Sequence, residues 1–564
     1  MNENSSHLSS MRPAFLVLLV VSVFLLFFLD LDGYDLSAPD EPRFALVARE
    51  MIQNGHWLLP HRNDRAYPDK PPLFFWSIAL VSLLQGGTVD AFSARLPSAL
   101  AAALILLALY FWIGPRTREQ RFQAEITLMV LMVSVRFFLQ AHMAQIDMLL
   151  CLFTTMALIL GFNHFHTDRN RQFWIGTCMG LAILTKGPVG YLIPAGSFLV
   201  YAWMLGKGGR RRYPTKALLW GLVPPLLWLG ALVAEVAVTH QWDYFYDLVF
   251  RQTLVRYLNP WHHYKPFYYF LQVILYDFFP WSPLLLLALP TSLKRLRALE
   301  EKEKFAWAVI LFTLVFFSLS KGKRNLYILP LYPFAAHVVG VRLAQALQAG
   351  RFSPSNRLGL GVVALALAAF SLGLVLVTGG FVAVAIPEGL PVLPTRAFMG
   401  MGIVLLILAL VFVLGLTCNL VKTSLVAAVL SMFYINIFFF QMVMPWVDPY
   451  RSPRTFVERA TALMETQSTE PIPLAMVDYR SAYRFYGTYP IDELKTAEEA
   501  PNPDLPSPAQ WFADHPNGWL IIREPDLHQL EPSLQKNLVV HYRKKVGRGT
   551  SMLLVRPRDS AVPQ

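Results

Sequence analysis

FLVLLVVSVFLLFFLDLDGYDLSAPDEPR, residues 15–43, is the stretch on which the fold turns. An apolar run, Phe15 to Leu29, gives way at once to Asp30, Asp32 and Asp35, then to Asp40-Glu41-Pro42-Arg43. The run could pass for a signal peptide. Pro39 follows the only small-residue pair, Ser37-Ala38, which argues against cleavage, so the run reads as an uncleaved membrane anchor. Five carboxylates within twelve residues of a membrane exit repel one another. Ordinary transmembrane architecture does not need them.

The rest of the chain fits a membrane setting. Of 564 residues, 55% are hydrophobic and only 15% charged, which excludes a soluble protein of ordinary composition. Forty Pro and fourteen Trp agree, since Pro is tolerated in buried spans and Trp gathers at interfaces. A net charge of +12 does not call for nucleic acid, because basic loops at the cytoplasmic face account for much of it. Cys151, Cys178 and Cys418 are too scattered for a zinc site or a disulfide framework.

A span needs about 20 apolar residues. About thirteen runs qualify as candidates, at 13–30, 96–114, 123–140, 147–163, 173–186, 188–206, 216–238, 266–291, 305–320, 326–346, 358–378, 399–417 and 422–443. Pro71 to Gln85 is short and reads as an interfacial or re-entrant helix. With the N-terminus inside, the inner loops and flanks hold 20 Lys and Arg against 14 in the outer loops, one of which runs from 31 to 95. The inner loops are short, so their basic density is far higher, as the positive-inside rule requires. Counting Pro71 to Gln85 as a span would put Arg210-Arg211-Arg212 outside. The sequence therefore predicts a polytopic α-helical domain over 1–445 and a soluble domain over 446–564. In the latter, strand-like runs at 472–477, 518–522 and 551–555 alternate with helical stretches at 506–513 and 527–538, which predicts a small α/β fold outside the membrane.

That parity puts Asp40, Glu41, Lys70, Asp147, Lys186, Arg256, Lys321, Lys323 and Arg324 on one face. Each has a plain structural reading: Asp40 and Glu41 charge the first turn of a helix, and Asp147 suits a helix N-terminus. Lys70 snorkels to headgroups. Three cations in the turn Lys321-Gly322-Lys323-Arg324 run against the topological bias, however, and favour an anionic ligand such as phosphate. Arg136, within a span, needs a partner, for which Asp147 or a lipid phosphate is a candidate. Carboxylates and cations meeting at one bilayer edge suit transfer chemistry. Cations stabilise a departing phosphate, and a carboxylate takes a proton from a hydroxyl acceptor.

In order along the chain, these patches resemble the membrane glycosyltransferases of the aminoarabinose lipid A transferase type, in the superfamily that includes the protein O-mannosyltransferases. The resemblance rests on Asp40-Glu41-Pro42-Arg43, Asn54-Gly55-His56-Trp57 with Pro60-His61, and Tyr67-x-Asp69-Lys70-Pro71. Further along it rests on Asp147, Thr185-Lys186-Gly187, Pro266-Phe267-Tyr268-Tyr269, and Lys321-Gly322-Lys323 with Tyr327-Ile328-Leu329-Pro330. It covers nearly all of residues 1–445. Gln252-Thr253 stand where those enzymes carry Glu-His.

The resemblance implies a GT-C type fold and an inverting glycosyltransferase that uses an undecaprenyl-phosphate sugar. Its acceptor would be an envelope molecule, lipid A first, at the periplasmic face of a bacterial inner membrane. Asp40, Glu41 and Asp147 are then the expected catalytic carboxylates. Lys70, Lys186, Arg256, Lys321 and Lys323 are expected at the donor phosphate, and Arg43, Tyr67 and Tyr327 at the substrate. A divalent metal, zinc or magnesium, is a candidate cofactor with Asp69 as its ligand. Partners are the lipid-linked donor, the acceptor and the phospholipid bilayer. A protein hydroxyl as acceptor, or a flippase of lipid-linked sugar, are the alternatives. A flippase should show internal repeats and polar groups at mid-bilayer, and neither is evident.

Overall fold

The computed structural model describes residues 13–114, 117–167, 170–249, 264–384, 390–468, 471–495, 505–547 and 551–558. Helices dominate. By length and composition, seven among the described residues can cross a membrane: Ala91–Ile113, Ile146–His166, Thr215–Thr239, Asn325–Ala349, Pro354–Thr378, Thr395–Thr417 and Val421–Gln467. An eighth is the pair Arg118–Met132 and Val135–Ala141, bent by 69°. Shorter apolar helices, Pro13–Phe28, Leu73–Leu84 and Val189–Met204, lie beside them.

Local chemistry sets the ends of these helices. Asp90 caps Ala91–Ile113 in a reciprocal box with Ser93, and Gly114 at φ 60° ends it. Thr117 and Gln120 form the same box at the start of Arg118–Met132. Leu73–Leu84 is about 18 Å long at 1.5 Å per residue, shorter than a hydrocarbon core. The run at 266–291 is not one helix. It breaks into Tyr269–Asp277 and Ser282–Lys294 around Phe278–Trp281.

Residues beyond Met444 end in a five-stranded sheet. Its strands are β3 (Leu474–Val477), β4 (Asp492–Leu494), β5 (Trp519–Arg523), β6 (Leu538–Lys545) and β7 (Ser551–Pro557), in the order β4-β3-β5-β7-β6. β3 runs parallel to β4 and β5, while β7 is antiparallel to β5 and β6. Both faces are covered. Met476, Trp519, Ile521 and Leu554 pack with Phe456 and Met464 of the helix Arg454–Gln467, and Val477, Leu520, Ile522 and Val555 pack with Trp511 and Phe512. The helix expected over 527–538 is split, with Glu524–Leu527 ending at its start and Pro532–Asn537 filling its second half, and the strand β6 follows. Helices there stop at Asn537, and Leu-Val-Val-His-Tyr-Arg-Lys-Lys continues as strand. A two-stranded hairpin, β1 (His61–Arg62) with β2 (Arg65–Ala66), projects from the segment before Leu73–Leu84.

A candidate active site at one end of the helix bundle

Four helix ends bring their charges together. Asp40 opens the helix Asp40–Asn54 and Asp147 lies in the first turn of Ile146–His166. Lys186 is the last residue of Gln172–Lys186, where Gly187 at φ 83° turns the chain. Arg324 immediately precedes the 3₁₀ turn Asn325–Leu331. Carboxylates at N-termini and a cation at a C-terminus each complement the helix dipole, so the sequence has a local reason to place them there.

They then pair with one another. Asp40 is buried, and its two oxygens accept from different arginines: Arg43 Nη2 on Oδ1, and Arg324 Nη2 at 3.0 Å on Oδ2. Lys186 Nζ lies 2.5 Å from Asp147 Oδ1 and 4.7 Å from the centre of the Tyr327 ring. Burial alone would lower the Arg324 pKa, but its bonded partner Asp40 and the nearby Asp147 more than offset this, and the net shift is upward. The result is a row of alternating charge, Arg43, Asp40, Arg324, Asp147, Lys186, drawn from four segments of the chain.

Glu41 takes a different part from that expected beside Asp40. It is fully buried, and its carboxylate accepts from Arg95 Nε at 2.9 Å, Arg95 Nη2 at 3.0 Å, and the backbone N–H groups of Ser37 and Ala144, both at 2.7 Å. No oxygen is left to face a substrate. Arg95, equally buried, also donates to the carbonyls of Leu31, Tyr34 and Asp35. The span expected over 96–114 stopped one residue short of it. An arginine at the start of an apolar helix was the available signal.

The cations expected at the donor phosphate divide. Lys186 is half-buried within the charge row, and Lys70 is half-buried in the segment before Leu73–Leu84. Lys321 is exposed. Lys323 is buried, its ammonium donating to the carbonyls of Lys265, at 3.1 Å, and Ser320, and burial lowers its pKa. It closes the turn rather than offering charge outward. Arg324, not singled out from the turn's other cations, is the one that reaches Asp40. Arg256, with Gln252-Thr253, lies outside the described residues.

Tyr67 is buried beneath the Arg62 guanidinium, 5.5 Å from its ring centre, and its hydroxyl has no hydrogen-bond partner among the described residues. Desolvation holds its pKa well above the usual tyrosine range. Asp69 is half-buried. Among the described residues no group of three or more His, Cys, Asp or Glu could hold a metal ion. Arg136 pairs with Asp277 rather than with the expected Asp147. Its Nη2 lies 2.7 Å from Oδ1 of Asp277, a fully buried carboxylate that hydropathy hid inside the 266–291 run.

Comparison with known proteins bears on the fold and the sequence as a whole. A family model described as dolichyl-phosphate-mannose-protein mannosyltransferase matches residues 69–239. The undecaprenyl phosphate-alpha-4-amino-4-deoxy-L-arabinose arabinosyl transferase of Pectobacterium carotovorum subsp. carotovorum is 30% identical over 374 residues, 62% of this chain and 64% of that protein. The Pseudomonas aeruginosa protein of the same name is 29% identical over 376 residues, 63% of this chain and 64% of its own length. The chain thus matches less than two thirds of the length of these relatives. The crystal structure of ArnT from Cupriavidus metallidurans bound to undecaprenyl phosphate superposes with a TM-score of 0.74 at 21% identity, covering 98% of this chain and 99% of that one. Its apo form gives a TM-score of 0.72. The chain thus has the polytopic helical membrane fold of the GT-C type that ArnT has, with a small α/β unit at its C-terminal end, and over 62% of its length its sequence is similar to the aminoarabinose transferases.

Proposed function

We propose that the chain transfers a glycosyl group from undecaprenyl phosphate to an envelope acceptor, lipid A first, at the periplasmic face of a bacterial inner membrane. The observation that carries this reading is the row Arg43, Asp40, Arg324, Asp147, Lys186 at one end of a membrane bundle. The names of the relatives, and the lipid phosphate bound in the ArnT crystal, supply the substrate class.

The chemistry follows from where charge moves. As the bond from the anomeric carbon to the phosphate oxygen breaks, its electron pair leaves with the phosphate. Lys186, Arg324, Lys70 and Lys321 are the cations on hand to stabilise it. An acceptor oxygen bonds to the same carbon from the opposite face, which inverts its configuration. If that oxygen begins as a hydroxyl, its proton goes to Asp40. Both Asp40 oxygens are held by arginines, so one arginine must release its oxygen first, and a phosphate arriving at Arg324 is a natural trigger. If the acceptor is already a phosphate, Asp40 orients it and no strong base is required.

Purified protein in nanodiscs, given undecaprenyl-phosphate aminoarabinose and lipid A, is expected to form the modified lipid. Asp40→Asn and Lys70→Ala should each lower turnover by about a hundredfold or more at normal expression. Full activity of Asp40→Asn would remove the base role. A wild-type chain that makes no product from any polyprenyl-phosphate sugar would sink the whole reading. The mannosyltransferase family match favours a protein hydroxyl as the second acceptor. Mass spectrometry of lipid A and envelope glycoproteins from a deletion strain separates the two.

A further inference from the structure

We infer that Glu41 and Arg95 are a positioning pair, which sets the distance between Asp40 and Asp147 and links both to the C-terminal unit. The inference rests on the proposed transferase reading only for its kinetic arm.

One carboxylate does the joining. Through Ser37 N–H and its own place next to Asp40, Glu41 holds the chain that enters the helix Asp40–Asn54. Through Ala144 N–H it holds the chain three residues before Asp147, ahead of the helix Ile146–His166. Arg95 comes from a third segment and makes five hydrogen bonds with no exposed atom: two to Glu41 and one each to the carbonyls of Leu31, Tyr34 and Asp35. Its guanidinium also stacks 3.8 Å from the Tyr34 ring centre. A buried pair left partly unbonded is costly, so each partner fixes the other. Asp40 and Asp147 thus stand on chain ends tied to one rigid knot.

Asp35 carries the link outward. Its carbonyl accepts from Arg95, its N–H donates to Asp448 at 3.0 Å, and its carboxylate accepts from Ser452 at 2.6 Å and Arg454 at 3.1 Å. Next to it, Leu36 N–H donates to the Tyr486 hydroxyl at 2.8 Å. The C-terminal unit therefore grips the segment that Arg95 grips from within. That assigns it a task in positioning the candidate catalytic carboxylates.

The test uses the full chain in nanodiscs, comparing wild type with Glu41→Gln, Arg95→Lys and Tyr486→Phe. Hydrogen exchange is followed in segments 31–46 and 142–150, alongside steady-state transfer. Glu41→Gln is expected to speed exchange in both segments at once, tenfold or more, and to lower kcat at nearly constant KM for the lipid donor. Arg95→Lys, which keeps the charge but loses the fork, should retain part of both. Tyr486→Phe, which removes one hydroxyl and keeps the ring, should loosen 31–46 and lower kcat several-fold. Exchange in 142–150 unmoved by Glu41→Gln, or kcat unmoved by Tyr486→Phe, would overturn the inference. Because exchange needs no turnover, a failure of the transferase reading shows in the wild-type assay and leaves the exchange result standing by itself.

Discussion

At the scale of single residues, Lys186 and Asp147 show how a structural reading and a catalytic one can be separated. Their pair is largely buried, so Lys186→Met leaves a carboxylate without its partner and is expected to cost about 3 kcal/mol of stability. The double variant Lys186→Met with Asp147→Asn removes both charges and should recover much of that in thermal unfolding. Transfer should stay lost in both, because nothing then replaces the cation. Recovery of transfer along with stability would make the pair purely structural. His142 gives a pH prediction. Burial pushes its imidazole down to about 3, while the Leu26 carbonyl pulls slightly the other way. Below the ordinary pKa near 6.5 the unfolded chain binds a proton that the folded chain refuses. Stability contributed by neutral His142 is therefore present above about 6.5 and lost as pH falls toward 3, by up to about 1.4 kcal/mol per pH unit. His142→Phe, which keeps the stack on Phe440 at 4.1 Å, is expected to flatten that part of the unfolding-temperature profile. An unchanged profile would refute it. Asp40, Asp147 and Lys186 could be picked from the sequence because charge beside apolar runs is conspicuous. Arg43, three residues on in the same helix, was legible beside Asp40; the pairing of Asp40 with Arg324 was not, because the two are 284 residues apart in the chain.

Helices and their breaks follow the same division. Hydropathy finds apolar runs, and it placed the helices Ile146–His166, Pro354–Thr378 and Thr395–Thr417 closely. It does not see a bend. Between Met132 and Val135 the helix turns by 69°, Ser134 Oγ donates back to Val130 O at 2.6 Å, and Val135 N–H leaves its helix for Phe279 O at 3.2 Å. Arg136 and Asp277 lock that crossing, with Tyr332 OH 3.5 Å from the second Asp277 oxygen. An arginine inside an apolar run is legible as needing a partner, yet its partner sits in a run whose own break was equally invisible. Asp277→Ala strands the Arg136 charge and is expected to cost about 3–5 kcal/mol, read as a large fall in unfolding temperature. The double variant Arg136→Met with Asp277→Leu should be closer to wild type than either single change. If Asp277→Ala unfolds normally, the pair does not hold the bend.

Across the whole molecule, the question is what the C-terminal unit holds besides Asp35. The helix Asp40–Asn54 meets it again further along: Arg49 donates to the carbonyls of Phe485 and Arg484 at 2.9 and 3.0 Å. Beyond that helix, Asn63 sits in the β1–β2 turn at φ 57°, buried, and pairs with Ile491 like one more rung of a sheet. Its amide donates to Ile491 O at 2.7 Å and its oxygen accepts from Ile491 N–H at 3.4 Å. Its own N–H donates to Glu50 at 2.6 Å, which ties the turn to the helix Asp40–Asn54. None of this was legible, because an asparagine in a polar loop looks like any other turn former. Asn63→Gly separates the two roles, since glycine keeps the left-handed backbone and the Glu50 bond but leaves the Ile491 groups unpaired. It is expected to cost about 1–3 kcal/mol and to expose the C-terminal unit to limited proteolysis before the helices unfold. Asn63→Asp keeps the turn and one acceptor, so it should fall between the two. Were Asn63→Gly to resist protease like the wild type, Arg49 and Asp35 alone would have to bear the docking.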